Sequence, residues 1–238
     1  MGGLLHVRFH RILSGQRVDI SAGFVFNFML HHPGYYQLAL SYDRETRITH
    51  GLLLAMRKKD AKIPRLLEGM RDRVMHCEQP LILAALVAEL VIDSVAAKIE
   101  LANEDLNDLE EESGLHRYDN RRRGNPLEMD FMRAIQILHF LNRTLGLDSI
   151  RLQFIFPSLM LIMKETKKIA AQEQDQSRDL GSISAGVIAS DGIRMVEELV
   201  EYLKCYCKNQ LLRARFQDNR IQTQLTVVSE PISDIERC

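Results

Sequence analysis

The sequence predicts an α+β fold that is predominantly α: a small N-terminal strand and helix region, followed by long antiparallel helices that end in a stalk-like helix. Two observations indicate this fold. Apolar residues alternate with period two between Tyr36 and Met56, which is typical of strands. From Pro80 onward they recur in steps of three and four, which is typical of long amphipathic helices with a heptad seam.

The composition is that of a folded protein without a nucleic-acid partner. The chain has 238 residues, of which 46% are hydrophobic, and its formal net charge is -1. This hydrophobic content is enough for a core, and the charge lacks the basic excess of nucleic-acid binding proteins. The four cysteines form no disulfide framework, which favours a reducing, cytoplasmic compartment. No segment reads as a secretory signal or as a membrane span.

The N-terminal region, residues 1–77, reads as a truncated α/β region. Tyr36–Tyr42 and Ile48–Met56 alternate with period two and are joined by a polar turn, so they predict a hairpin. Val18–Leu30 supplies a further candidate strand. Ile63–His76 has the charged, amphipathic pattern of a helix. The stretch around Val7 is ambiguous between the two kinds of structure.

Residues 78–228 predict a bundle of three long helices. The first begins at Pro80 and stops at Gly114, since proline suits a first helical turn and glycine suits a helix end. Its apolar seam advances by alternating fours and threes. The seam consists of Leu81, Ala85, Ala88, Ile92, Val95, Ile99, Ala102, Leu106 and Leu109.

The second helical region permits two interpretations. Asn125–Glu128 has the cap, the proline and the acidic residue of a helix start. Gly146 and Pro157 then predict interruptions, yet the apolar steps resume nearly in phase. The region is either one kinked helix from Pro126 to about Ala171 or two helices with a break at Gly146–Asp148. Its seam is Leu127, Phe131, Ala134, Leu138, Leu141 and Leu145, then Leu152, Phe156, Leu159, Met163 and Ile169.

The third helix is predicted over about residues 186–228, with Pro231 as a breaker and residues 229–238 as a disordered tail. Its stripe has one polar member, Asp218, whose carboxylate needs a partner such as Arg215 or Arg220. The stripe consists of Val196, Val200, Leu203, Cys207, Leu211, Ala214, Asp218, Ile221, Leu225 and Val228.

No arrangement of residues predicts catalysis, so the sequence favours a protein that is not an enzyme. It contains neither a glycine-rich phosphate loop nor a nucleophile elbow. Glu104 and Asp108 fall on one face of the first helix and are candidates, with Asp218, for binding a divalent cation such as Mg²⁺. An ordinary solvated face is the alternative interpretation of these carboxylates.

Four stretches carry a family resemblance: Tyr35–Arg47, the helix start at Pro80, the acidic run that leads to Gly114–His116, and Gln222–Val228. In these stretches the chain resembles the cytoplasmic part of fungal CorA-like magnesium transporters. The resemblance implies a pentamer in which an α/β domain carries an antiparallel helix pair and a long stalk helix. In such proteins the stalk continues into membrane spans behind a Gly-Met-Asn motif, and divalent ions bind between subunits to hold the pore shut.

The sequence departs from that family in lacking the two spans and the Gly-Met-Asn motif, since Gly69-Met70-Arg71 is no substitute for it. The first hypothesis is therefore a soluble homologue, truncated before the pore and not itself conducting. It would form a homo-oligomer or co-assemble with full-length transporter subunits. The second hypothesis is a coiled-coil interaction or scaffold protein with no role in transport.

Overall fold

The computed structural model describes residues 5–13, 16–27, 36–43, 46, 48–55, 64, 67–69, 71, 79–114, 129–179 and 183–235. It confirms the predicted fold class, an α+β protein that is predominantly α. Four strands come first, and three long helices follow them along the chain. Most of Ile63–His76, all of Asn125–Glu128 and the basic loop that precedes them lie outside the described residues.

The strands form one antiparallel sheet in the order β1-β2-β3-β4. They are β1 (Leu5–Leu13), β2 (Gln16–Asn27), β3 (Tyr36–Asp43) and β4 (Ile48–Ala55). The predicted hairpin is confirmed, because β3 and β4 pair antiparallel from Tyr36↔Ala55 to Asp43↔Ile48.

One face of the sheet is buried. Along β3 the side chains alternate between buried and half-buried, as the pleat of a strand requires. The buried side chains are Phe24, Phe26, Tyr36, Leu38, Leu40 and Tyr42. A methyl group built on Gly51 of β4 would lie 3.3 Å from Leu40 Cδ2 and 3.6 Å from Leu83 Cδ1. The first turn of the following helix therefore packs beside this strand.

Helix α1 (Ile82–Glu112) follows its predicted seam. All nine predicted seam residues, Leu81 to Leu109, are buried. The predicted stop is also confirmed: Gly114 has a φ of 69°, which favours glycine at a helix end, and its N–H donates to the carbonyl of Glu111 at 3.1 Å.

Helix α2 (Phe131–Asp179) is continuous through Gly146 and contains Pro157, so the interpretation with two helices is wrong. Asp130 caps the start, since its Oδ1 accepts from the backbone N–H of Arg133 at 3.0 Å. The predicted Phe156 and Met163 are only half-buried, and Ile155 and Ile162 take their places in the core. The buried seam is Ala134, Leu138, Leu141, Leu145, Asp148, Leu152, Ile155, Leu159, Ile162, Thr166 and Ile169.

Helix α3 (Ile183–Ile235) is longer than predicted at both ends. Its backbone continues past Pro231, where the sequence predicts a stop. A proline inside a helix removes one hydrogen bond and can bend the helix. The remaining backbone bonds of the last turns carry α3 to Ile235.

The helices contribute to two compact units rather than to a domain of their own. One unit contains residues 1–93 and 153–207, and the other contains residues 94–152 and 208–238. Each long helix belongs partly to each unit. Within the second unit, contacts between α1 and α3 join residues whose numbers rise together, from Glu100–Arg213 to Ser113–Gln224. In this unit α1 and α3 therefore run parallel.

One helical stretch meets the length and composition of a membrane span. Within the part that the structure describes, Phe131–Gln172 has a mean hydropathy of 1.4 over its most apolar window, and 39% of that window is buried. The sequence predicts no span. The stretch is this apolar because α2 exposes residues such as Phe140 and Phe154 in addition to its buried apolar seam. A core helix of a soluble protein can have the same composition.

Candidate functional site

The buried seam of α3 contains three glutamines at intervals of seven residues. Gln210, Gln217 and Gln224 are each no more than 4% exposed. The predicted stripe instead contained Leu211, Asp218 and Leu225, which are only half-buried. The prediction was wrong at these three positions because it preferred the carboxylate or the apolar neighbour to the glutamine. Strict steps of four and three from Val196 select the glutamines.

Arg220 is the centre of a polar layer between α1 and α3. This polar layer consists of Asn103, Asn107 and Glu110 on α1 and of Gln217 and Arg220 on α3. A guanidinium group has five N–H donors, and all five are used here. Nε and Nη2 donate to the two carboxylate oxygens of Glu110 at 2.9 and 2.6 Å. Nη1 donates to Asn103 Oδ1 at 2.8 Å and to Gln217 Oε1 at 2.7 Å, and Nη2 also donates to Asn107 Oδ1 at 2.7 Å.

The ion pair in this layer is bidentate and mostly shielded from water. The side chains of Arg220 and Glu110 are 18% and 14% exposed. Charge-assisted bonds of this forked geometry are stronger and more directional than bonds between neutral groups. The guanidinium carbon of Arg220 also lies 5.9 Å from the ring centroid of Phe216, within the range of a cation–π contact.

Three further contacts join the two helices in and beside the polar layer. Gln217 Nε2 donates to Asn103 Oδ1 at 2.9 Å, so Asn103 accepts bonds from two side chains of α3. Ser113 Oγ lies 3.4 Å from Gln224 Oε1. At the other end, Arg213 forms an exposed ion pair with Glu100. A polar layer buried in a helix pair can set its register, because a shift along the axis would leave these groups unpaired.

Gln210 differs from the other two glutamines. Its Oε1 is buried and has no hydrogen-bond partner. One heptad before the contact between Gln217 and Asn103, the corresponding residue of α1 is Ala96, which is buried and has no polar side-chain atom. The same residue type therefore occupies a satisfied and an unsatisfied position on one helix.

This contrast predicts opposite effects for two identical substitutions. Gln210→Leu should raise the free energy of unfolding by about 1 kcal/mol, because it removes an unpaired buried acceptor. Gln217→Leu should lower it by about 1 to 2 kcal/mol, because it leaves part of the bonding of Asn103 and Arg220 unmade. Urea unfolding followed by circular dichroism measures both. Two changes of the same sign would contradict the described hydrogen bonding.

A second buried charge lies in the seam of α2. Asp148 is 1% exposed, and its Oδ1 pairs with Arg151 and, at 3.6 Å, with Lys98 Nζ on α1. Its Oδ2 is buried without a hydrogen-bond partner. A carboxylate in this position depends on its two cations, because an unpaired buried charge is costly. From the sequence, Asp148 was expected only at the end of a possible helix break, Gly146–Asp148.

The predicted metal candidates are not members of the polar layer. Glu104 and Asp108 are exposed on α1, and Asp218 is half-buried on α3. Among the residues described, no group of three or more His, Cys, Asp or Glu side chains is placed to hold a metal ion. Arg220, a predicted partner of Asp218, directs its five N–H donors to other residues.

The two cysteines of α3 have different environments. Cys205 is exposed and Cys207 is buried, as expected for residues two apart on a helix. Burial raises the pKa of the Cys207 thiol to about 11, so it is protonated at neutral pH and packs as a small apolar side chain. Cys77 and Cys238 lie outside the described residues.

The fold and the polar layer define a class: an α+β protein whose long heptad helices carry a buried polar layer between the first helix and the last. Neither the protein-family models nor the curated proteins show a match to this chain.

The sequence did not predict the polar layer, since Arg220 was expected only as a partner of Asp218, although one signal for Gln217 is present. Counting heptads without regard to polarity leads to Gln217, and Arg220 lies one turn beyond it. Their partners Asn103, Asn107 and Glu110 fall on the flank of the α1 seam. That position does not show which residues of another helix they meet.

Proposed function

We propose that this chain is a soluble homologue of the cytoplasmic region of CorA-like magnesium transporters and acts as a cation-responsive assembly module. The observation that carries the proposal is the parallel pairing of α3 with α1 through the polar layer. The resemblance implies a long last helix lying along the first helix of an antiparallel pair, after an α/β region. The order of strands and helices supports the same relationship.

The proposed module binds Mg²⁺ between copies of the chain. Glu104 and Asp108 are exposed one turn apart on α1, where carboxylates of a second copy can approach them. Mg²⁺ is commonly held by one or two carboxylates together with waters. A site shared by two copies would contain only half of its ligands in one chain. Asp218 is a further candidate ligand, on α3.

Sedimentation velocity with and without millimolar magnesium tests this function. We expect wild-type chain to sediment as a larger assembly when magnesium is present. Glu104→Gln/Asp108→Asn should lose that response, because both proposed ligands lose their charge. Asp105→Asn/Glu112→Gln is a matched control, since it removes two exposed carboxylates from the same helix and should retain the response. An unchanged wild-type sedimentation coefficient, or equal loss in both variants, would contradict the proposal.

The proposal places the described part of the chain in the cytoplasm and includes no catalytic step. The apolar stretch Phe131–Gln172 is then a bundle helix, which is supported by its buried polar seam residues Asp148 and Thr166. Arg151 and Lys98 pair with Asp148. The hydroxyl of Thr166 donates to the carbonyl of Ile162 at 2.8 Å. Co-assembly with full-length transporter subunits is the partnership that follows from the resemblance.

A coiled-coil scaffold without a transport role is the second candidate. It is favoured by the unbroken heptad spacing of buried residues from Ala134 to Ile169, through Gly146 and Pro157. A scaffold of this kind requires only helix pairing. Its assembly would be insensitive to magnesium and to the charges of Glu104 and Asp108, so the same sedimentation experiment separates the two functions.

A further inference from the structure

The outer strand of the sheet has the properties of a pairing surface. β4 is an edge strand, because it pairs with β3 and, within the described part of the chain, no strand pairs with its other side. An edge strand presents backbone N–H and C=O groups that only another extended chain can pair in a regular ladder. A helix or a lipid surface would leave those groups without such partners.

The residues of β4 lack the usual protection of an edge. From Ile48 to Ala55 the strand has no proline and no Asp, Glu, Lys or Arg. Ile48, Leu52 and Leu54 point to one side of the sheet and are 49%, 59% and 49% exposed. Natural sheets commonly protect such edges with charges, proline or bulges.

We propose that β4 pairs antiparallel with β4 of a second copy of this chain, so that one sheet continues through both. A two-fold register centred on Gly51 pairs all residues from Ile48 to Leu54. It places His50 opposite Leu52 of the second copy and Ile48 opposite Leu54 of the second copy. Opposed residues of antiparallel strands lie on the same face, and diagonal neighbours are within reach of long side chains. Ile48 and Leu54 of the two copies therefore meet directly, and the two Leu52 side chains meet diagonally across the two-fold axis.

The absence of charge makes a second copy of this strand a compatible partner. Two-fold pairing brings each residue type near its own copy, so a strand with lysine or glutamate at its centre would oppose like charges. β4 contains none of these residues, and it is therefore complementary to itself. This pairing goes beyond the proposed function, because it needs neither magnesium nor the carboxylates of α1.

Sedimentation equilibrium in a metal chelator, over a range of protein concentrations, tests the pairing. Wild-type chain should show a reversible equilibrium between monomer and dimer. Leu52→Lys should weaken the dimer by about tenfold or more, because it brings like charges together across the two-fold axis. Leu101→Lys is the matched control, since Leu101 on α1 is equally exposed, at 59%, and its dimer should match that of wild type.

Hydrogen–deuterium exchange locates the contact and controls for misfolding. Protection of the Ile48–Ala55 amides should increase with protein concentration in wild type and in Leu101→Lys but not in Leu52→Lys. The circular dichroism spectra of all three should agree. A wild-type chain that stays monomeric, a dimer that survives Leu52→Lys, or equal loss in Leu101→Lys would each overturn the proposal.

Discussion

Replacing Arg220 by methionine is expected to lower the free energy of unfolding by about 3 kcal/mol. The substitution keeps an unbranched side chain of similar length but removes all five N–H donors. Glu110 then keeps a carboxylate that is only 14% exposed and has lost its bidentate partner. Asn103, Asn107 and Gln217 each lose a hydrogen bond as well. Urea unfolding followed by helical circular dichroism measures the change.

Two further variants separate the roles of charge and geometry at this position. Arg220→Lys keeps the charge but not the planar fork, so about half of the loss should remain. Arg215→Met removes an exposed arginine from the same helix and should change stability by less than about 0.5 kcal/mol. If Arg220→Met were as mild as Arg215→Met, the polar layer would not stabilise the pairing of α1 with α3.

Replacing Asp148 by alanine is also expected to cost about 3 kcal/mol. The substitution leaves Arg151, whose side chain is 10% exposed, and Lys98, at 30%, without their shared carboxylate. The loss of this charge pairing in a mostly buried position is the main source of the cost. Thermal and urea unfolding of the variant measure it.

A double variant tests this origin of the cost. Asp148→Leu/Arg151→Leu replaces the ion pair with apolar side chains and should be much less destabilising than Asp148→Ala. Replacing a whole buried ion pair is often nearly neutral, whereas removing one partner is not. Lys98 can extend its ammonium group to solvent, because it is the most exposed of the three. A double variant that is less stable than the single one would show that the ion pair itself is strongly favourable.

The fold class and the first helix could be predicted because their signals are local. Each of the nine predicted seam residues of α1 is buried, since a heptad of apolar residues has only one face to bury. The sequence pattern of β1, around Val7, was ambiguous for a physical reason. Its register with β2 shifts between Phe9 and His10, and such an irregularity breaks the period of two.

The polar layer could not be predicted in the same way, because its stability belongs to pairs of residues. Gln217 and Asp218 are adjacent and both polar, and hydrophobicity does not show which of them turns to the core. The choice depends on Asn103, which is distant in sequence and offers an acceptor to Gln217. Apolar neighbours such as Leu211 and Leu225 misled the prediction at the equivalent positions. The carboxylates Glu104 and Asp108 were predictable as exposed, and their role in cation binding stays a prediction.

The described fold and the proposed function both depend on the parallel register of α1 and α3. Disulfide trapping measures this register most directly. Cysteine pairs are introduced into a chain whose native cysteines are replaced, with Asn103→Cys combined with Gln217→Cys, Gln210→Cys or Gln224→Cys. The last two positions lie one heptad, about 10.5 Å, along the helix from Gln217, which is too far for a disulfide. We expect the Asn103 and Gln217 positions to bridge fastest of the three pairs. Faster bridging of Asn103 with either other position would contradict the register.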